Sequence, residues 1–350
     1  MVTYTKPIQP GNTIGLVLPS SMITQETLDS VLRAAHKLGL KCQIGKHMQH
    51  VVRLFTAQQD GYIDQLLPEL TPDERDEYHH YIASGYMAGS PKHRAEDINN
   101  FFADPSIDAI WCLRGGYSAA KVLPYLDYDL IGNNPKQILG HSDITNIISA
   151  IYAKTGIVTY HAPMLAPNFT GVNLLDDNGN VDGYTLSYLG QFAMSNWDEV
   201  QISNPTDLPM QTMVGGVADG VVYGGNLSVL THLVGTPYVA STAGKIIFLE
   251  EVRTHVVECD MNLTQLEQAG FFDNIAGLIL GDFLDCHNRT GHDKCQDWLI
   301  GQVLYNHFHD APYPVLAGVK LGHDQHTATI PLGAMCHLDA DQQAIVISKY

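Results

Sequence analysis

The sequence predicts an α/β protein: an open, mostly parallel sheet with flanking helices, followed by a second α/β unit. Three observations carry this reading. Short apolar runs alternate with helix-period segments from Thr13 onward. Two of those runs, Ile107 to Leu113 and Gln137 to Gly140, stop at Arg114-Gly115-Gly116 and His141-Ser142-Asp143, and helical residues follow each turn. The chain is 350 residues long, enough for two cores, and the strand–helix pattern restarts at Gly224-Gly225-Asn226. Chemistry collects at the strand ends of open α/β sheets, so residues 107–145 form the centre of the reading.

Taken in order, Thr13 to Leu18 is a buried strand ending at Pro19-Ser20-Ser21. Leu28, Val31, Leu32, Ala35 and Leu38 recur at helical spacing between a Thr24 cap and Gly39, and Leu40 to Ile44 is the second strand. Such a strand–helix–strand opening implies a parallel pair joined by a right-handed crossover. Residues 51–89 are less regular, with helical fragments around Gly61 to Leu67 and Pro72 to Ile82. Ser90-Pro91 starts a helix whose buried stripe is Ala95, Ile98, Phe101 and Phe102. Ile144, Ile147, Ile148, Ile151 and Tyr152 make an amphipathic helix closed by Gly156, before a strand at Ile157 to Tyr160.

Residues 1–166 thus form an N-terminal domain. Periodicity fades over 167–216, read as an inter-domain connection and loop, and residues 217–350 form the C-terminal domain. There, a helix from Leu227 to Val234 precedes strands at Lys245 to Leu249, Ile275 to Leu280 and Val315 to Val319, a helix at Trp298 to Phe308, and terminal strands at Thr327 to Ile330 and Ala344 to Ser348.

Composition narrows the partners. A formal charge of −18 argues against nucleic acid, whose phosphates need a basic face. The longest apolar run near the start, Ile14 to Leu18, is far too short to span a membrane, and Met1 to Pro10 lacks a leader-like apolar core. Six cysteines at 42, 112, 259, 286, 295 and 336 stand apart, which suits reduced thiols and a cytoplasmic location. Of two metal readings, calcium fails on spacing and zinc is weakened by it. The segment Asp176 to Ser187 lacks the Gly and Glu of a calcium loop, and Cys286, His287, His292 and Cys295 do not have a usual zinc spacing. No cofactor is expected.

Ser142 lies on a strand-to-helix turn, where a hydroxyl is exposed as a nucleophile; the same position suits a helix N-cap. A serine nucleophile needs a base and a group that orients it. His323 follows Gly322 after a strand, His161 ends a strand, and His141 adjoins the serine. Glu250 ends an apolar strand, where an acid suits a rim better than a core, and Glu251 beside it competes for the orienting role. The turn Arg114-Gly115-Gly116 could be a structural turn, a phosphate cradle or an oxyanion hole, although no P-loop or dinucleotide fingerprint surrounds it.

With these residues in view, the chain resembles the LD-carboxypeptidase family of serine peptidases, which also includes the microcin C self-immunity proteins. The matching segments are Gly85-Tyr86-Met87-Ala88-Gly89-Ser90 with Arg94 and Asp97, then Phe102-Ala103-Asp104, Arg114-Gly115-Gly116-Tyr117 and Gly140-His141-Ser142-Asp143-Ile144-Thr145. They continue in family order through Gly224-Gly225-Asn226-Leu227, Gly235-Thr236-Pro237, Ile247-Phe248-Leu249-Glu250 and Gly322-His323. The resemblance implies Ser142 as nucleophile, His323 as base and Glu250 as its orienting acid. It further implies an oxyanion hole from the main chain of Gly115, Gly116 and Asp143, with Arg114 and Tyr117 as substrate-binding candidates. It implies a smaller C-terminal α/β domain with the site in the cleft, no metal and a homodimer. The expected substrate is a muropeptide tetrapeptide losing its terminal D-alanine, or alternatively a peptidyl- or aminoacyl-nucleotide amide. His141 departs from the Tyr or Phe common in the family, and Ser118 from Gly.

Overall fold

The computed structural model describes residues 2–166, 182–286 and 296–349. Most elements of the first half follow the sequence pattern. Strand β1 (Thr13–Val17) leads into helix α1 (Gln25–Lys37), where Thr24 Oγ1 accepts from Thr27 N at 3.3 Å, and then into β2 (Lys41–Ile44). Helix α2 (Lys46–Gln59) occupies ground that the sequence left irregular. Its N-terminal Gly45 supplies no side-chain cap; instead Asp97, fifty residues on, accepts from His47 N and Met48 N at 3.1 and 2.9 Å. A cap borrowed across the fold leaves no local signal. Short helices α3 (Ile63–Leu66) and α4 (Pro72–Glu77) follow, and α5 (Pro91–Ala103) starts at Ser90 as expected. Next come β3 (Ala109–Cys112), a 3-10 segment (Ala119–Tyr125), α6 (Tyr128–Asn133), β4 (Gln137–Gly140), α7 (Thr145–Thr155) and β5 (Thr159–His161).

The first sheet has the order β12-β5-β4-β3-β1-β2, and β2, β1, β3, β4 and β5 are parallel. Order 2-1-3-4-5 reverses direction of growth between β1 and β3. Such a switch point opens a crevice beyond the carboxyl ends of the strands. The turns after β1, β3 and β4, holding Ser20, Gly115 and Ser142, all lie at that end.

The described part of the connection, from 182 on, is structured, contrary to its reading as a loop. It holds α8 (Gly183–Ala193), capped by Asp182 on Thr185 N at 2.9 Å, and the short strands β6 (Glu199–Ile202) and β7 (Gln211–Val214). These strands take the two edges of the second sheet, where their brevity and exposure blunt the sequence signal. Its inner members are β8 (Val217–Asn226), β9 (Lys245–Val252), β10 (Gly277–Leu284) and β11 (Val315–Ala317), all parallel, and β13 (Met335–Asp339) and β14 (Ala344–Ser348), which run antiparallel. Helices α9 (Leu227–Leu233), α10 (Val256–Gln268) and α11 (Gln296–Phe308) connect them. Strand β13 was not foreseen, and the segment expected as a strand at Thr327 to Ile330 begins pairing only at β12 (Ile330–Leu332). That strand crosses back to pair with β5 of the first sheet.

The two sheets meet at α7. Thr145 Oγ1 accepts from Asn226 N at 3.3 Å, and a Cβ on Gly225 would lie 2.5 Å from Thr145 Cγ2. Glycine at 225 therefore lets β8 close onto the helix that follows Ser142.

Candidate active site

Ser142 starts a 3-10 turn (Ser142–Ile144) with φ of 61°, a left-handed conformation that costs a serine of order 1 kcal/mol and persists only where its surroundings enforce it. It is not a helix N-cap: His141 occupies that position, and no side-chain cap bond forms. Gly115 faces it. A Cβ there would sit 2.9 Å from Ser142 Cβ, 3.0 Å from Oγ and 3.3 Å from Asp143 N, so the turn after β3 must be bare at this point. Among the described residues Ser142 Oγ makes no hydrogen bond, leaving the hydroxyl beside the main chain of Gly115 and Asp143.

A network beneath this surface was not legible in the sequence. Asp143 Oδ2 accepts from Ser118 N at 2.7 Å, from Ala119 N at 2.8 Å and from Ser20 Oγ, while Oδ1 accepts from Asn146 Nδ2 at 2.7 Å. One buried carboxylate thus ties the Ser142 turn to the turns after β1 and β3. Ser118 is held in turn by Arg94, whose Nη1 donates to Ser118 Oγ at 2.9 Å and to Pro19 O at 2.6 Å. Burial pushes the Arg94 guanidinium down to about 10, with Asp143 opposing, so it stays cationic. The sequence offers only partial hints: Ser20-Ser21 at a strand end, Arg94 among the matching family residues, and Ser118 in place of a family glycine.

His323 Nδ1 lies 2.6 Å from Glu250 Oε2. When Glu250 is ionised, the imidazole donates to it from Nδ1 and Nε2 is the basic nitrogen. Glu250 is not at a rim: it is fully buried, and β9 runs two residues beyond it. An acid is tolerated there because the histidine pairs with it. Glu251 is engaged elsewhere, accepting from Asn226 Nδ2, Ser228 N and Val252 N, each at 2.9 Å, which anchors the start of α9. Burial raises Glu250 to about 8 and lowers His323 to about 4, each away from its charged form, so burial favours the neutral form of both groups.

The His141 ring lies edge-on to His323, centroids 4.7 Å apart, and 5.7 Å from His161. The residue before Ser142 therefore touches the imidazole that holds Glu250, and chain neighbours of the two sheets meet at this point. His161 is buried, neither ring nitrogen has a partner among the described residues, and burial pushes it well below the usual histidine range. It is neutral and out of contact with any carboxylate. Arg114 is exposed, with Nη1 donating to Met22 O at 2.7 Å, and the Tyr117 ring stands 88 % exposed. The sequence candidates at 286–295 and 176–187 fall wholly or in part outside the described residues.

A serine on a left-handed turn, a bare facing turn and a histidine–glutamate pair thus come together beyond the switch point of the first sheet. The comparisons give the family. The LD-carboxypeptidase N-terminal domain matches residues 14–162 and the LD-carboxypeptidase C-terminal domain matches 219–338, so the chain belongs to the LD-carboxypeptidase family and is a hydrolase acting as a carboxypeptidase. It is 29 % identical over 342 residues to the probable murein peptide carboxypeptidase of Bacillus subtilis, covering 98 % of this chain and 93 % of that one. It is 30 % identical over 285 residues to the microcin C7 self-immunity protein MccF of Escherichia coli, covering 75 % of this chain and 80 % of that one. The fold is shared with an MccF-like protein from Bacillus anthracis, with a TM-score of 0.77, 24 % identity and full coverage of both chains.

Proposed function

We infer that this carboxypeptidase works through a serine acyl-enzyme. Ser142 Oγ attacks the scissile carbonyl as His323 Nε2 takes its proton. Glu250 holds the imidazole through Nδ1 and balances the charge that forms on it. The oxyanion would lie against the main-chain N–H groups of the Gly115-Gly116 turn and of Asp143. His323 then protonates the departing amine, and water, activated by the same imidazole, releases the acid. The observation that carries this reading is the 2.6 Å His323–Glu250 bond, on a loop that meets the ring preceding an enforced left-handed serine. A serine without a bond to its base in the free protein fits, since such contacts commonly tighten around substrate.

The substrate we propose is a muropeptide tetrapeptide, cleaved between an L-centre and its terminal D-alanine. The near end-to-end match to a relative named as a murein peptide carboxypeptidase supports it. The alternative, an aminoacyl- or peptidyl-nucleotide amide, rests on the similarity to MccF, which covers less of this chain. Incubation with each substrate, followed by mass spectrometry, separates the two. D-alanine release is expected, with Ser142→Ala reducing kcat by at least ~10³-fold at unchanged thermal stability. Cleavage of the nucleotide conjugate alone would transfer the assignment to the alternative, and an active Ser142→Ala variant would remove the nucleophile.

A further inference from the structure

On the outer face of the first domain, α2 and α5 bring together two histidines and a glutamate that the proposed chemistry does not use. The imidazoles of His47 and His93 stack with centroids 4.1 Å apart and an interplanar angle of 8°. His47 Nε2 lies 3.2 Å from Glu96 Oε2, and donor atoms of His47, His93 and Glu96 all fall within 4.8 Å of one another. The supporting shell is already built. Glu77, almost fully buried, meets His93 Nδ1 at 2.8 Å and also accepts from Ser90 N at 2.7 Å. That contact makes Nδ1 the donor and leaves Nε2 with its lone pair outward, the tautomer of a metal-bound histidine backed by a carboxylate. His47 is fixed through its main chain by Asp97.

The geometry points to a site for a divalent transition ion of the zinc type, held by His47, His93 and Glu96 with Glu77 behind His93. Two imidazoles and one carboxylate are a common zinc donor set that leaves a fourth position for water. Bonds of about 2.1 Å to a tetrahedral ion require donors roughly 3.4 Å apart. Reaching that spacing requires rotation of the rings out of parallel and of the Glu96 side chain, which is 48 % exposed. The ion is structural and takes no part in hydrolysis. Glu77 and Ser90 bound the segment whose Ala88 N donates to Ser20 O and whose Tyr86 O accepts from Ser21 Oγ, so the ion braces the turn after β1 from outside.

The test is titration of the full-length, chelator-treated protein with Zn²⁺ alone, followed by calorimetry and thermal unfolding. One ion per chain and a raised Tm are expected, with Mg²⁺ giving no shift. His47→Ala combined with His93→Ala should weaken binding by at least ~100-fold, and Glu77→Gln by ~10-fold or more, the usual effect of a supporting carboxylate. Glu96→Gln, at a half-exposed position, is the variant that keeps the fold and should still weaken binding. Co²⁺ should give d–d bands without a thiolate charge-transfer band. The proposal is overturned if the parent takes up no Zn²⁺, if the double histidine variant binds as the parent does, or if Co²⁺ reports a thiolate ligand.

Discussion

Glu250→Gln exchanges one oxygen for an amide nitrogen in a fully buried side chain and keeps its volume. It tests the proposed pair directly. In the parent, the charge arriving on His323 during attack is faced by a carboxylate whose Oε2 is 2.6 Å from Nδ1. With charge centres about 4 Å apart and an effective dielectric of about 20, that attraction is ~4 kcal/mol, or about 10³-fold in kcat. Loss of the enforced tautomer adds to this, and the corresponding change in a Ser–His–Asp triad costs ~10⁴-fold. Stability should move the other way. Burial raises the folded pKa of Glu250 from 4.5 to about 8, so its contribution to stability is full below 4.5 and is lost as pH rises through about 8. Gln lacks that dependence, so the variant should be at least as stable as the parent at alkaline pH. The assay is kcat on the tetrapeptide, with thermal unfolding of both proteins at the same pH. Activity within tenfold of the parent would refute the pairing. So would a Glu251→Gln variant that lost as much activity while Glu250→Gln stayed active, since Glu251 is assigned to anchoring α9, where its loss should cost stability by ~1–3 kcal/mol.

Two further outcomes follow from the same site. The parent's kcat/KM should rise with pH as the His323–Glu250 pair gives up a proton, and Glu250→Gln should move the midpoint down, because removing a negative neighbour disfavours imidazolium; an upward move would contradict the arrangement. Gly115→Ala brings a methyl to 3.0 Å from Ser142 Oγ and should lower kcat by ~10²-fold to ~10³-fold, as loss of an oxyanion donor does, and an unaffected rate would show that the facing turn is not where the oxyanion forms.

Legibility in the sequence followed locality. Thr24, Ser90 and Gly156 mark helix ends through contacts with their own neighbours, and each marks an end in the structure. Helix α2 was missed because Asp97 caps it from another helix, and β6 and β7 because short edge strands carry little apolar pattern. In the site, Ser142, His323 and Glu250 stood out as reactive types beside turns. The choice between Glu250 and Glu251 needed three dimensions, since it turns on which one faces His323 and which one faces Ser228. Asp143 was expected only for its main-chain N–H. Its carboxylate proves to join three turns, a role fixed by Ser20 and Ser118, far away in sequence.

Strand β12 gives His323 an unusual mechanical position. The loop that carries this residue leaves β11 in one sheet and, seven residues past His323, enters β12 in the other, where Ile330 pairs with His161. Thr327 ties the loop to itself through Gly322 N at 3.1 Å, and to α8 through Thr185 Oγ1 at 3.0 Å, so there is little slack between the anchors. The proposed base is thus strung like a bead on a taut cord between two bodies. A motion that parted the sheets to admit a peptide would have to carry this loop with it, so the imidazole would move with the opening of the cleft.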